Sequence, residues 1–264
     1  MNRSYQKGEA YLKAVHHLFV SFFNEDRIPS STTLQYRLSK IPSSYLRLVN
    51  KHLVNRFRRD GFTLAVDSSG LRKSSASSWF CLRIKRRIRK KDHMKVHIGI
   101  DVDTGLIVAF KITEGKANDS PPLRSLLRQV GRIGKLLGDM AYSARWIFEE
   151  VKMKGGLPFI PFKKNATGRS KGCKIWRDMF LVFTNEPERF KEEYHPRSLV
   201  EATFSTLKRC WGEDLTSRKG WLCRKEAIVK VIAFNLQRVA YLDRAKELGI
   251  PLWQTLELPK LAVC

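Results

Sequence analysis

The segment FTLAVDSSG, residues 62–70, is the point at which the sequence changes from a helical to a strand-like pattern. Its first residues are mostly apolar, and the small residues SSG follow at once. A short run of this kind, bounded by serine and glycine, predicts a β-strand over residues 62–67 that ends at Asp67. This strand is the first element of a predicted sheet.

Downstream of this strand, strand-like and helical patterns alternate. Two strands joined by the turn DTG predict a hairpin, and two more strands follow; the four segments span residues 95–102, 106–113, 135–140 and 156–162. Helical patterns cover residues 119–130, 143–154, 197–211 and 224–245. This mixture of a hairpin and helical crossovers predicts an α/β fold, in which helices cover both faces of a mixed sheet.

Upstream of residue 60 the pattern is helical throughout. Apolar residues recur three or four apart over residues 5–23, and two later segments each begin with Pro and Ser, the signature of a capped helix. We therefore divide the chain into a small all-α unit over residues 1–60 and an α/β domain over residues 61–264. The helical unit is either a helix-turn-helix that binds DNA or a bundle for packing or dimerisation.

The charge balance of the chain indicates its partner. The 264 residues include 50 Lys and Arg against 25 Asp and Glu, which gives a net charge of +25 and a pI of about 10.2. A protein this basic attracts polyanions, so nucleic acid is the expected partner. An anionic membrane surface is the alternative, but no strongly basic helix with a clean apolar face is present.

Other features of the sequence favour a soluble protein of the cytosol. No apolar run approaches the roughly 18 residues of a membrane span, and the first residues lack the order of a secretory signal. The five cysteines are scattered, which predicts reduced thiols and no zinc site. No glycine-rich loop of the kind that binds ATP or a dinucleotide is present.

The segment YHPRSLVEATFSTLKR, residues 194–209, sets one glutamate among several cations. On a helix, Arg197, Glu201 and Lys208 fall within an arc of roughly 40°, at the border of an apolar face. Tyr194 precedes a proline and is expected to lie outside the helix. The stripe is either a surface ion pair between Arg197 and Glu201 or one side of a cleft.

Two aspartates occupy corresponding places at the ends of predicted strands. Asp67 ends one strand in AVDSSG, and Asp139 ends another in LLGDMAY. Each is either a simple strand terminator or, if the strands are parallel neighbours, part of a cluster at one sheet edge. Together with Glu201 they supply the oxygen ligands that Mg²⁺ prefers. A pair of such ions can hold both the attacking and the leaving oxygen of a phosphoryl displacement.

The motifs VDSS and GDMAY, together with Tyr194-x2-Arg197-x3-Glu201-x6-Lys208, resemble the three acidic motifs of the DDE transposases of bacterial and archaeal insertion sequences. The resemblance covers about residues 62–240 and includes the segment KVHIGIDVDTGLIVAFKITEGKANDS. It implies a ribonuclease H-like fold for the α/β domain. It also implies a DNA transposase that cleaves the ends of its element and joins them to target DNA.

The resemblance implies a role for each matching carboxylate. Three residues would be catalytic and would ligate two Mg²⁺ or Mn²⁺ ions: Asp67, Asp139 and Glu201. Two alternatives to a transposase stay open. One is a non-catalytic or domesticated DNA-binding protein, and the other is a nuclease of the same fold that cuts without joining.

The resemblance also implies partners for the cations of the last motif. Tyr194, Arg197 and Lys208 would contact the DNA backbone near the scissile phosphate. The implied partner is double-stranded DNA, as element ends and as target, bound by a homodimer or a larger assembly. The implied location is the cytoplasm, in association with the nucleoid.

Two basic segments are further candidates for DNA contact. Residues 81–95 alternate apolar residues with cations, which predicts a ridge that follows phosphates; its cations include Arg83, Lys85, Arg87 and Arg89. The alternative is a solvated strand or loop. The segment KKNATGRSKGCK, residues 163–174, is predicted to be a basic loop compatible with DNA contact.

For several other single residues the sequence predicts mainly structural roles. His97 lies on a predicted strand and is expected to be packed, although it is a weak candidate for the site. Asp101, Asp103 and Asp119 are expected in turns and caps, and Asp119 also resembles a recurrent position of the family. Trp79 is expected to fill the core.

Overall fold

A six-stranded mixed sheet lies at the centre of the protein in its computed structural model. The structure describes residues 5–23, 27–57, 59–73, 93–217 and 219–250. The strands are β1 (Phe62–Lys73), β2 (His93–Asp101), β3 (Ile107–Glu114), β4 (Ile133–Leu137), β5 (Leu157–Phe159) and β6 (Asp214–Leu215). Their order is β3-β2-β1-β4-β5, and the short β6 pairs with the far end of β1.

The sheet combines an antiparallel and a parallel half. β1, β2 and β3 are antiparallel neighbours, whereas β4 and β5 run parallel to β1. The predicted hairpin between β2 and β3 is confirmed, and its turn closes through a hydrogen bond from the Gly105 amide to the Asp101 carbonyl oxygen. The predicted α/β class with a mixed sheet is therefore confirmed.

The predicted end of the first strand is wrong. β1 does not stop at Asp67 but continues to Lys73, because β2 pairs with it as far as Arg72. Serine and glycine disfavour a strand locally, yet the cross-strand hydrogen bonds of the ladder compensate for this weak preference. Asp67 consequently lies within a long strand.

Ten α-helices and two 3₁₀ turns accompany the sheet in the described part of the chain. The helices are α1 (Tyr5–Ala14), α2 (His16–Phe23), α3 (Ser31–Lys40), α4 (Ser43–Asn55), α5 (Ser120–Leu127), α6 (Arg145–Met153), α7 (Lys174–Asn185), α8 (Pro187–Tyr194), α9 (Ser198–Trp211) and α10 (Gly220–Glu247). The 3₁₀ turns are Met140–Tyr142 and His195–Arg197. The four helices predicted after residue 62 are confirmed as α5, α6, α9 and α10.

Two helices were not predicted from the sequence. α7 is rich in aromatic and branched residues, whose helix propensity is modest. Its helical form is stabilised by packing, since Ile175, Trp176 and Met179 are buried in the main core. α8 begins at Pro187, a residue that favours the first turn of a helix.

The core of the protein covers both faces of the sheet. Leu64, Ala65 and Val66 are consecutive residues of β1, and all three are fully buried. Because successive side chains of a strand point to opposite faces, both faces of β1 must be covered. No helix within the described residues has the length and apolar character needed to span a membrane.

The helices before β1 contact the rest of the protein through α4 and through the last turn of α3. Leu46 of α4 belongs to the main hydrophobic core, and Asn50 is buried and donates to the Ile107 carbonyl oxygen of β3. The carbonyl oxygens of Leu38 and Ser39 accept hydrogen bonds from the Lys225 ammonium of α10. The division near residue 60 therefore separates helices from strands along the chain, while α4 packs on the α/β domain.

Candidate active site

Asp67 and Asp139 lie level with each other, just beyond the point at which the pairing of β1 with β4 ends. The last paired residues of β1 and β4 are Ala65 and Leu137, and each aspartate lies two residues beyond this pair. The two strands are parallel neighbours, which is the condition under which both carboxylates come to the same part of the sheet. Ligands of open α/β sheets bind in the crevice outside the carboxyl ends of such strands.

The Asp67 carboxylate is partly buried and held in one orientation. Its Oδ1 accepts a hydrogen bond from the Ser68 amide at 2.7 Å, and its side chain is 19% exposed. Burial raises the pKa of Asp67; the Ser68 amide and Arg197 oppose this rise, and the negative charges of Asp139 and Glu201 add to it. The charges of Asp139 and Glu201 therefore reach the Asp67 carboxylate.

Asp139 begins the 3₁₀ turn that follows β4. Its Oδ1 accepts a hydrogen bond from the Ala141 amide at 2.9 Å, so the carboxylate caps the turn. The same turn buries Tyr142, whose hydroxyl has no hydrogen-bond partner among the described residues. Burial raises the pKa of Tyr142, and Asp119, Asp67 and Asp139 raise it further. Asp139 thus combines a structural role with a place in the acidic cluster.

Arg197 links Glu201 to Asp67. Its Nη1 lies 2.5 Å from Glu201 Oε1, and its Nη2 lies 3.4 Å from Asp67 Oδ2. The side chain of Arg197 is 16% exposed, whereas that of Glu201 is 59% exposed. Burial lowers the pKa of Arg197, but Tyr194, Glu201 and Asp67 together outweigh it and raise the pKa above its usual value. The predicted ion pair is present, and it is part of the cluster.

Tyr194 and Lys208 have different relations to the cluster. Tyr194 ends α8, outside α9 as predicted, and its ring stacks on Phe190. Burial raises the pKa of Tyr194, Arg197 lowers it, and the three acids of the cluster raise it. Lys208 lies half-buried in the last turn of α9, about 10 Å along the helix from Glu201. The ion pairs of the described residues do not include Lys208 with any of the three acids.

Most of the predicted basic ridge, residues 81–92, lies outside the described residues. Its cations Arg83, Lys85, Arg87 and Arg89 fall in the range 74–92, and so does Trp79.

A set of polar side chains behind Asp67 was not predicted from the sequence. Asp119 Oδ1 accepts hydrogen bonds from Ser68 Oγ at 2.5 Å and pairs with Lys95 Nζ at 2.6 Å. Asp119 occupies the N-cap position of α5, as expected, but its side chain makes no capping hydrogen bond to this helix. Asp119 instead fixes Ser68, whose amide holds Asp67. Only the pairing of β1 with β2 brings Ser68 next to His97 and the neighbouring Lys95.

The three carboxylates suit a divalent cation in their chemistry, but they are not arranged as a ligand set. Within the described residues, no group of three His, Cys, Asp or Glu side chains is placed to hold a metal ion. The Arg197 guanidinium pairs with both Asp67 and Glu201 and so lies between them. Carboxylate oxygens at a strand edge are nevertheless the donors that Mg²⁺ prefers. The donor chemistry therefore fits such an ion, whereas Arg197 occupies both Asp67 and Glu201 in this structure.

The fold and the site define an α/β protein with an acidic cluster, crossed by an arginine, just beyond the last paired residues of two parallel strands. A family model described as the transposase DDE domain matches residues 60–236, and this chain belongs to that family. The resemblance stated from the motifs is thereby confirmed.

One similar protein and the search of solved structures complete the comparison. The chain is 26% identical over 197 residues to an uncharacterized protein of Aquifex aeolicus (strain VF5), a match that covers 71% of this chain. It spans about 60% of the length of that relative. No solved structure gives a significant match.

Proposed function

We propose that this chain is a DNA transposase that cleaves the ends of an insertion sequence and joins them to target DNA in a metal-dependent reaction. Membership of the transposase DDE domain family supports the proposal. The observation that carries it is the level placement of Asp67 and Asp139 beside the Arg197–Glu201 pair. The antiparallel strands beside a parallel pair likewise support a ribonuclease H-like fold for residues 61–264.

The acids would act as the ligands of the reaction's cations. Asp67, Asp139 and Glu201 would hold two Mg²⁺ or Mn²⁺ ions, which when bound activate a water or 3′-hydroxyl oxygen and stabilise the departing oxygen. The chain itself fixes the acids: the Ser68 amide orients Asp67, and the Ala141 amide orients Asp139. This orientation by backbone donors reduces the rearrangement that binding requires.

Arg197 would exchange its acidic partners for a DNA phosphate. Its planar guanidinium matches the oxygens of a phosphate in the same bidentate way that it matches a carboxylate. Arrival of DNA would therefore release Glu201 and Asp67 to serve as ligands. Tyr194 lies beside Arg197 and would contact the same part of the backbone. Lys208, two turns along α9, would contact a phosphate further along the strand.

The proposal also includes the binding partner, the oligomeric state and the cellular location of the protein. The net charge of +25 supports double-stranded DNA as the partner. We propose a homodimer or larger assembly on paired DNA ends, located in the cytoplasm with the nucleoid, and a DNA-binding or dimerisation role for residues 1–60.

The test is the isosteric substitution Asp139→Asn, which keeps an acceptor for the Ala141 amide. The substrate is a duplex of the genomic DNA that flanks the reading frame, incubated with Mg²⁺. Several kcal/mol of transition-state stabilisation would be lost, so we expect strand cleavage to fall at least about a thousandfold. Duplex binding in EDTA should stay unchanged. The exposed Asp60, at the opposite end of β1, offers the matched control Asp60→Asn.

The outcomes separate the proposal from its alternatives. Normal cleavage by Asp139→Asn contradicts the proposal. If neither the wild type nor Asp139→Asn cleaves DNA, and duplex binding is the same in EDTA and in Mg²⁺, the results favour a non-catalytic DNA-binding protein. Supplying a pre-cleaved end with a free 3′-hydroxyl identifies a nuclease, since a nuclease yields no joined product.

A further inference from the structure

A basic cleft is connected to the acidic cluster through the 3₁₀ turn that Asp139 begins and Ser143 ends. Ser143, four residues after Asp139, lines this cleft, which has a volume of about 380 Å³. This volume falls within the range of roughly 300–1,000 Å³ that is typical of small-molecule sites. Four of the lining residues are cations and none is acidic; the cations are Arg145, Lys163, Arg169 and Lys171. The volume of the cleft therefore suits a small ligand or a group of a larger one, and its positive charge suits an anion.

The wall of the cleft contains donors that the protein leaves unpaired. Ser143 is only 9% exposed, and its Oγ has no hydrogen-bond partner among the described residues. The Nε of Arg145 is buried and is likewise unpaired within the described residues. Buried polar groups are nearly always hydrogen-bonded, so each exception needs an explanation. Both atoms are closed to solvent, so an anionic oxygen in the cleft would accept from them only after the side chains of the wall shift.

The start of α7 adds to the attraction for an anion. This helix has 12 residues, and Cys173 at its N-cap position makes no side-chain capping hydrogen bond. The free amides of a first helical turn and the helix dipole both favour a negative group. Trp176, in that first turn, lines the cleft. The positive field therefore comes from the backbone as well as from side chains.

The ligand expected here is a phosphate and not a stacked base. Trp176 is the aromatic residue of the wall, but its side chain is buried, and Arg145 covers its ring at 4.6 Å from the centroid. A base therefore has no open aromatic face on which to stack. The exposed cations Lys163, Arg169 and Lys171 can instead reach a charged group that enters from solvent.

We infer that this cleft binds backbone phosphate of the DNA strand that leads away from the acidic cluster. The inference rests on the proposed function, because it takes DNA at the cluster as given. The cleft holds the strand beside the reacting phosphate, at a place set by the short connection from Asp139 to Ser143. Its cations position the strand without touching the bond that breaks.

The experiment measures DNA binding in EDTA, so that catalysis has no influence on the result. The cleft variant carries Lys163→Ala, Arg169→Ala and Lys171→Ala together. The control carries the same charge change at three other exposed cations, as Arg132→Ala, Lys152→Ala and Lys246→Ala. Circular dichroism and denaturant midpoints should match those of the wild type in both, since all six side chains are exposed.

The probe is a set of duplex oligonucleotides in which one phosphate at a time is replaced by a neutral methylphosphonate. In the wild type and the control, we expect one or two positions at which the replacement weakens binding about tenfold, the value of one charge-assisted hydrogen bond. In the cleft variant, the same replacement should change binding less than about twofold. The salt dependence of binding should also become less steep in the cleft variant, by about one unit of slope per lost phosphate contact.

The results distinguish failure of the inference from failure of the proposed function. If the wild type binds and cleaves DNA but the cleft variant responds to every methylphosphonate as the wild type does, the inference alone is wrong. If the wild type does not bind duplex DNA in EDTA or in Mg²⁺, both the inference and the proposed function are wrong.

Discussion

Among single residues, His97 shows how strongly burial controls charge near the acidic cluster. Its ring is buried on β2, and its Nε2 lies 2.8 Å from Thr113 Oγ1. Burial lowers the pKa of His97 to about 4; Asp119 opposes this, while Lys95 and Lys111 lower the pKa further. His97 is therefore neutral at pH 7, and the expectation that it is a packed histidine is confirmed.

The low pKa of His97 predicts a loss of stability in acid. Between its ordinary value of 6.5 and about 4, the unfolded chain binds a proton that folded His97 does not bind. The free energy of unfolding therefore falls as the pH is lowered through this window, by about 3 kcal/mol for this group. Urea unfolding of the wild type and His97→Gln at a series of pH values measures the effect. Over this pH range, the free energy of unfolding of His97→Gln should fall by about 3 kcal/mol less than that of the wild type. All other titrating groups are the same in the two proteins. Equal losses in the two proteins would contradict the prediction.

At the scale of an element, α9 is held in place by a buried lysine of α10. The Lys230 ammonium donates to the carbonyl oxygens of Trp211 at 2.9 Å, Gly212 at 2.7 Å and Asp214 at 2.8 Å. A cation at the C-terminus of a helix satisfies carbonyl groups that have no partner within the helix. Burial lowers the pKa of Lys230, although Glu226 and Asp214 oppose this. Since α9 carries Glu201, this contact also fixes one side of the candidate site.

Replacing this lysine should destabilise the whole protein. Lys230→Met keeps the length of the side chain but leaves three carbonyl oxygens without their donor. We expect the free energy of unfolding to fall by about 2–4 kcal/mol, measured by chemical denaturation. The exposed Lys246 of the same helix provides the control Lys246→Met, which should change stability by less than about 0.5 kcal/mol. A similar small change for Lys230→Met would show that water replaces the lysine.

At the scale of the whole molecule, a buried polar group joins the N-terminal helices to the α/β domain. Asn235 of α10 donates to Asn50 Oδ1 at 2.8 Å and accepts from the Ile107 amide of β3 at 2.9 Å. Asn50 and Asn235 are both buried, so these hydrogen bonds form in a low dielectric and fix one arrangement of three elements. α3 differs from α4, because it has no buried residues.

This arrangement predicts that α4 unfolds together with the sheet. In native-state hydrogen exchange, we expect the amides of α4 to be protected within about 1 kcal/mol of those of α10, since both open only when the core opens. The amides of α3 should exchange earlier and serve as the internal comparison. Exchange of α4 several kcal/mol before α10 would indicate an independent helical unit that ends near residue 60.

The three carboxylates selected from the sequence are close enough in the structure for Asp139 and Glu201 to raise the pKa of Asp67. Asp67, Asp139 and Glu201 were selected because of strand-like and helical patterns, which depend only on neighbouring residues. The long β1 and the helix α7 were not predicted, because cross-strand pairing and core packing decided them against local preference, whereas α8 was missed although Pro187 favours a helix start. The link from Asp119 through Ser68 to Asp67 was missed for a related reason: it joins β1 to the start of α5, which lies about 50 residues further along the chain.

The sequence by itself determined the α/β class, the basic charge and the motifs that identify the family, because these depend on composition and on spacing along the chain. Only the tertiary structure decided that Asp67 and Asp139 are level, that Arg197 crosses the acidic cluster, and that Ser143 opens onto a basic cleft. These relations depend on strand register and on contacts between residues far apart in the chain. Register is fixed by hydrogen bonding and burial over a whole sheet, which no local pattern contains.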